Sequence, residues 1–137
     1  MRETILVDTG PIVAALDRKD RYHAWAIEQF NRFAAPLLTC EAVLTEAVYL
    51  VQRNDSNPDR VLELVATGAL RIRFDLETEV EVLKQLMDRY HDVPMDLADA
   101  CLVRMAEQHP NSTVLTLDSD FHIYRRHRRE IIPVVIP

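Results

Sequence analysis

Two short apolar segments, each followed at once by an aspartate, restrict the fold of this chain more than any other feature. Residues 4–7 are β-branched and apolar, as expected for a strand buried on both faces, and Asp8 opens the turn that ends them. A second apolar run, residues 113–117, ends in the same way at Asp118-Ser119-Asp120. In parallel α/β sheets, ligands bind just beyond the carboxyl ends of the strands. These aspartates are therefore expected at the functional edge of such a sheet.

A glutamate is expected to reach the same edge from a helix. Residues 36–40 are predicted to form a strand that passes directly into a helix of about residues 41–53, which places Glu46 within the first two turns. At about 100° per residue, Glu46 shares its helical face with mainly apolar side chains, namely Ala42, Val43, Tyr49 and Leu50. A carboxylate that faces inward needs a partner or a metal ion.

A further acidic pair opens the predicted helix 96–107. Only residues 108–112 separate this helix from the strand that begins near Thr113, so the start of the helix lies near the carboxyl end of that strand. Asp96 and Asp99 therefore converge on the same edge. Each also has an ordinary structural role, because aspartate favours the N-cap and the first turn of a helix.

The remaining pattern alternates helices with strands, which predicts an α/β fold: a three-layer α/β/α sandwich with a mainly parallel central sheet. We expect one domain over residues 1–137. Asp75 is expected to cap the fifth helix, Asp120 a short helix near residues 121–124, and Pro133 marks the last strand as an edge strand. The predicted helices are 11–17, 22–34, 41–53, 58–67, 76–90 and 96–107, and the predicted strands are 4–7, 36–40, 70–74, 113–117 and 131–136.

The residue types predict the chemistry of the acidic edge. Carboxylate oxygens select Mg²⁺ or Mn²⁺, and a cluster of carboxylates is difficult to keep ionised without a cation. One or two such ions would activate a water molecule for phosphodiester cleavage. Cys40, Cys101 and the five scattered histidines lack zinc-site spacing, and the cysteines are expected to be buried. The candidate metal ligands are Asp8, Glu46, Asp96, Asp99, Asp118 and Asp120.

The ordered set of motifs resembles the PIN domain, and specifically the VapC-like toxins of prokaryotic type II toxin–antitoxin systems. The matching motifs are Asp8-Thr9, Glu46, the Asp96-x-x-Asp99-Ala100 helix start and the segment 116–121. The resemblance implies a Mg²⁺- or Mn²⁺-dependent endoribonuclease, an RNA substrate, an antitoxin partner and a homodimer. It implies a catalytic quartet of Asp8, Glu46, Asp99 and Asp118, with Asp96 and Asp120 in supporting positions.

Charge and hydropathy set further expectations. The formal net charge is −6 and the pI is about 5.3, which is unusual for a nucleic-acid binder. The basic segment Arg125–Arg129 is either a guide for a phosphate backbone or a solvated loop. No apolar run approaches the roughly 20 residues needed to cross a bilayer, so we expect a cytoplasmic protein.

Alternative functions and a dimer interface also follow from the sequence. A phosphoacceptor receiver domain is another small acidic α/β protein that binds Mg²⁺, but it needs paired acids after the first strand, where Asp8 is single. A non-catalytic PIN-fold module that binds a partner remains the other alternative. The helices 22–34 and 41–53 offer aromatic side chains for a dimer interface or for the core, namely Trp25, Phe30, Phe33 and Tyr49.

Overall fold

The computed structural model describes residues 3–137, which form a parallel sheet between two layers of helices. The predicted α/β sandwich is confirmed. The strands are β1 (Thr4–Val7), β2 (Leu37–Thr39), β3 (Leu70–Ile72), β4 (Ser112–Leu115), β5 (Arg125–Arg126), β6 (Glu130–Ile131) and β7 (Val134–Val135). The helices are α1 (Thr9–Leu16), α2 (His23–Arg32), α3 (Glu41–Arg53), α4 (Asp59–Ala66), α5 (Val80–Arg89) and α6 (Leu97–Gln108).

The main sheet has the order β3-β2-β1-β4-β7, and all four strand pairs are parallel. Its central strands β1 and β4 pair in the register Leu6 with Val114, and both of these side chains are fully buried. Strands with helices on both faces must be apolar almost throughout, which explains why these two segments are so clear in the sequence. The carboxyl ends of both strands consequently lie side by side at one edge.

Several boundaries differ from the sequence prediction. Helix α5 begins at Val80, and Asp75 caps a preceding turn by accepting a hydrogen bond from the Thr78 backbone N–H at 3.3 Å. The short helix near the C-terminus is a 3₁₀ helix over Ser119–His122, and its cap is Asp118 rather than Asp120. Asp75 has the predicted capping chemistry, but the turn that it caps comes before α5, whose own N-cap residue Glu79 makes no side-chain cap bond. At the 3₁₀ helix, Asp118 and Asp120 are both suitable caps, so the residue type did not identify the helix start.

The predicted closing strand, residues 131–136, is divided in two. Pro133 separates β6 from β7, and only β7 joins the main sheet, at its edge, as the proline predicted. β6 instead pairs antiparallel with β5, so residues 125–131 form a small hairpin, which contains the segment 125–129 that was expected to be a phosphate guide or a solvated loop. Cys40 and Cys101 are free and buried, as expected. Within residues 3–137, no helix combines the length and the apolar character needed to cross a lipid bilayer.

Candidate active site

Five carboxylates surround an open cavity of about 390 Å³ where β1 and β4 end and α1 and α6 begin. The acids arrive on separate elements: one follows each central strand, two start α6, and Glu46 projects from α3. The cavity is lined by Asp8, Thr9, Gly10, Glu46, Leu50, Asp96, Asp99, Leu117 and Asp118.

Three of the acids are helix caps, and this local role fixes their position. Asp8 accepts a hydrogen bond from the Thr9 backbone N–H at 2.8 Å, which starts α1. Asp96 accepts from the backbone N–H of Asp99 at 2.8 Å, as its N-cap prediction required. Asp118 accepts from the Asp120 N–H at 2.9 Å. Each cap engages the Oδ1 atom, so the start of each helix orients the carboxylate beside it.

Hydroxyl groups hold three of the acids, and the sequence analysis missed all three donors. Thr116 donates to Asp8 Oδ2 at 2.7 Å, and Thr9 donates to Glu46 Oε2 at 3.0 Å. Tyr124 donates to Asp99 Oδ2 at 2.8 Å. The threonines lie within the acidic motifs, which was the available signal, although their bonding partners are 37 and 108 residues away along the chain. Tyr124 lies outside these motifs, 25 residues from its partner, and no pattern indicated the contact.

Gly10 allows the first turn of α1 to pack closely against the cavity wall. A Cβ atom at this position would lie 3.0 Å from side-chain atoms of Leu117, tighter than ordinary van der Waals contact. The absence of a side chain therefore lets Leu117 cover α1 next to the carboxylates.

Burial and mutual repulsion perturb two of these acids. Burial raises the pKa of the Asp8 carboxyl to about 6, against hydrogen bonds from Thr116 and Thr9 that lower it, with a further rise from the charges of Asp118 and Glu46. Burial also raises the pKa of Asp99 to about 7, opposed by the bond from Tyr124. Both carboxyls are only 7 % exposed. The cavity is therefore a place where an extra positive charge is strongly favoured.

The structure brings five of the six candidate ligands together and leaves the sixth beside them. Asp120 is partly exposed and does not line the cavity; partial burial and the neighbouring Asp118 charge raise its pKa. Glu46 is half-buried, but Tyr49, which was expected on the same inward face, is 56 % exposed. The five that share the cavity are Asp8, Glu46, Asp96, Asp99 and Asp118.

The donor set fits a hydrated divalent cation. Every candidate ligand is a carboxylate oxygen, the ligand type that Mg²⁺ and Mn²⁺ prefer. Among residues 3–137, no group of three or more His, Cys, Asp or Glu side chains forms a preformed metal cage. Mg²⁺ does not require one, because it usually keeps several water molecules and binds through one or two carboxylates. The cavity has room for such an ion with its waters.

Comparison with known proteins agrees with this acidic α/β architecture. The PIN domain family model matches residues 5–126, and the chain belongs to this family. The chain is 28% identical over 132 residues to the ribonuclease VapC26 of Mycobacterium tuberculosis, with 95% of this chain and 93% of that protein covered. It is also similar in fold to the crystal structure of Mycobacterium tuberculosis VapC20, a sarcin–ricin loop cleaving toxin, with a TM-score of 0.75, 18% identity, and 85% and 92% of the two chains covered.

The raised pKa values predict how the stability of the metal-free protein depends on pH. Between about pH 4, the ordinary carboxyl pKa, and the folded values of about 6 for Asp8 and about 7 for Asp99, the folded protein holds protons that the unfolded chain has released. Stability from these two groups is therefore fully present at low pH and is lost as pH rises through this window. We expect the unfolding free energy of Asp8→Asn to fall less steeply with rising pH than that of the wild type, because asparagine cannot titrate but can still cap α1.

The measurement is urea unfolding in EDTA at several pH values between about 4 and 8, which covers the whole window. Asp59→Asn, which changes an exposed aspartate in the first turn of α4, is the control and should keep the wild-type slope. Identical profiles of unfolding free energy against pH for wild type and Asp8→Asn would show that burial does not raise the pKa of the Asp8 carboxyl.

Proposed function

We propose that this PIN domain is a Mg²⁺- or Mn²⁺-dependent endoribonuclease, the toxin of a type II toxin–antitoxin pair that acts in the cytoplasm. The observation that carries the proposal is the convergence of Asp8, Glu46, Asp99 and Asp118 on one cavity, in a chain of a family whose relative VapC26 is named a ribonuclease. We assign these four acids as catalytic metal ligands. Asp96 supports them at the cavity, and Asp120 supports Asp118 from outside it.

The chain's own residues prepare the site for hydrolysis. Glu46, Asp96, Asp99 and Asp118 each accept a hydrogen bond through one carboxylate oxygen, which leaves the other available as a ligand. Asp8 accepts through both oxygens, each of which keeps a further lone pair for a cation. A bound divalent ion would supply Lewis-acid activation of water and charge stabilisation on the phosphate. Hydrolysis joins the water oxygen to phosphorus and breaks one P–O ester bond. No side chain needs to form a covalent intermediate.

Only part of the basic segment 125–129 is available to an RNA backbone. Arg125 donates through Nη1 to the backbone carbonyls of His122, Ile123 and Tyr124, so it braces the chain after the 3₁₀ helix. Arg126 bonds to Glu130 across the hairpin. The exposed arginines of the segment are Arg128 and Arg129, and we assign them as phosphate contacts. The other two arginines serve the structure.

Metal dependence is the direct test. Cleavage of RNA should require Mg²⁺ or Mn²⁺ and stop in EDTA. Each of four substitutions should reduce cleavage by at least about 100-fold while the protein stays folded: Asp8→Asn, Glu46→Gln, Asp99→Asn and Asp118→Asn. Loss of a residue that only hydrogen-bonds to a metal ligand already lowers metal affinity or activity roughly 10–100-fold, so loss of a ligand should lower it at least as much. Asp96→Asn should be milder, since asparagine still caps α6.

The matched control is Asp88→Asn, which removes an exposed aspartate from α5 and should cleave like wild type. A gel assay on single-stranded and structured RNA with each purified variant gives the readout. Full cleavage in chelator would refute the mechanism. Metal binding without any RNA cleavage would favour the non-catalytic interaction module instead.

An antitoxin would neutralise the same cavity. An inserted arginine could form charge-assisted bonds with the carboxylates and occupy the place of the cation. An apolar groove of about 330 Å³, lined in part by Leu16, Ile27, Phe30 and Leu64, opens at the other end of α1. Because the eight residues of α1 span about 12 Å at about 1.5 Å each, one short peptide can reach both places. We propose that the antitoxin does so.

Expression without the antitoxin should therefore arrest growth. Asp8→Asn should relieve the arrest at equal protein level, because it disables the cavity without breaking the α1 cap. Colony counts and growth curves after induction, with immunoblots for protein level, provide the measurement. Normal growth of cells that contain soluble, metal-binding wild-type protein would contradict the toxin role and leave the nuclease activity to be judged in vitro.

We also propose a homodimer in which α2 and α3 contribute to the interface. Trp25 and Phe33 are only partly buried against the core, and Tyr49 is 56 % exposed, and none of the three lines the groove assigned to the antitoxin. Light scattering on the purified protein should give twice the 15.8 kDa chain mass. Tyr49→Asp should shift the mass toward the monomer, whereas Leu62→Asp, an exposed leucine on α4, should not. A monomeric wild type at assay concentration would refute the proposal.

A further inference from the structure

Tyr124 is one of the largest fully buried side chains, and its polar end touches the acidic site. Its hydroxyl donates to Asp99 Oδ2 at 2.8 Å. A buried tyrosine hydroxyl needs a partner, but an aromatic residue that only filled the core would not need a hydroxyl at all. The hydroxyl therefore requires an explanation beyond packing.

Two aromatic rings and a backbone hydrogen bond restrict the position of Tyr124. Tyr90 and Phe121 each pack edge-on against it, with ring centroids 5.2 Å away in both cases. The Tyr124 backbone N–H donates to the Asp120 carbonyl at 3.1 Å, which ties the residue to the segment that follows Asp118. Tyr124 thus links the segment carrying one acid of the cavity to α6, which carries another. A donor with so little freedom can fix the direction of its acceptor.

We propose that Tyr124 is a positioning residue for the metal site: its phenol holds Asp99 Oδ2 and thereby presents Asp99 Oδ1 to the cation. This inference rests on the proposed function. A neutral phenol suits the task, because a lysine or arginine in its place would pair with the carboxylate and cancel the charge that the cation needs. Outer-shell donors of this kind orient metal ligands and tune affinity.

The two threonines provide the comparison that makes Tyr124 distinctive. Thr9 and Thr116 each lie within one acidic motif and hold the acid of another: Thr9, next to Asp8, bonds to Glu46, and Thr116, two residues before Asp118, bonds to Asp8. Asp99 receives no bond of this kind from a motif residue, because Asp96 accepts from its backbone N–H and leaves its side chain unbonded. The side chain of Asp99 therefore depends on a donor from the C-terminal segment.

The test compares Tyr124→Phe with Tyr90→Phe. The first variant keeps the ring and removes the hydroxyl from Asp99. The second removes a hydroxyl from the same aromatic cluster, one that accepts from the Arg125 backbone N–H and is not bonded to Asp99. We expect Mn²⁺ affinity, measured by calorimetry, to fall roughly 10–100-fold in Tyr124→Phe and to stay near wild type in Tyr90→Phe. RNA cleavage by Tyr124→Phe should recover as Mn²⁺ is raised. Circular dichroism in EDTA verifies that both variants are folded.

A second measurement uses the unaltered protein. The Tyr124 hydroxyl proton is buried in a hydrogen bond and should be visible by NMR, and its resonance should shift when Mg²⁺ is added, because a cation bound to Asp99 would polarise the carboxylate to which the hydroxyl donates. Wild-type Mn²⁺ affinity in Tyr124→Phe, an equal loss in Tyr90→Phe, or an unmoved hydroxyl resonance in Mg²⁺-bound protein would each overturn the inference and leave the proposed function intact. Failure of the wild type to bind Mn²⁺ would overturn both.

Discussion

Repulsion among carboxylates held at one sheet edge is the constraint on which the rest of the structure depends. Asp8 and Asp99 are almost completely buried, and burial together with neighbouring negative charge raises the pKa of each. Burying a charge without a partner costs free energy, so such a cluster persists only where the rest of the fold holds the carboxylates in place. The two central strands, paired along their whole length, provide that framework. A cation bound as we propose would offset this repulsion, so the free-energy cost of the carboxylate cluster and its proposed affinity for metal have the same origin.

The same interactions that build the local fold also orient the acids. Asp8, Asp96 and Asp118 satisfy backbone N–H groups that a helix start leaves without partners. A cap residue is fixed by the helix it begins, so its second oxygen is fixed as well. Hydroxyl donors extend this arrangement to Glu46 and Asp99, which are not caps. All of these donors are neutral backbone N–H or hydroxyl groups, so they orient the acids without adding positive charge to the cavity where we propose that the metal binds.

The parts of the site that depend on local chemistry could be predicted from sequence. Helix α3, which carries Glu46, has the predicted boundaries, and Asp96 caps α6 as expected. Contacts made across the fold could not be predicted, because Tyr124 and Asp99 share no sequence pattern. The hairpin of β5 and β6 was not predicted, for another reason. Its turn has positive φ at His127 (49°) and Arg128 (70°), where glycine or asparagine would be the usual sequence signal. Two-residue strands also lack a detectable alternation.

The negative charge of the chain becomes consistent with an RNA substrate once the cation is counted as part of the binding surface. A net charge of −6 opposes a phosphate backbone at long range, and five carboxylates line the cavity in which we propose that the scissile phosphate lies. Arg125 and Arg126 are committed to internal bonds, so they add little attraction. In the proposed mechanism the carboxylates alone would repel the phosphate, whereas a divalent ion bound among them would attract it. Metal binding would then come before productive RNA binding, and the proposed ion would be a condition for substrate recognition as well as for the chemistry of cleavage.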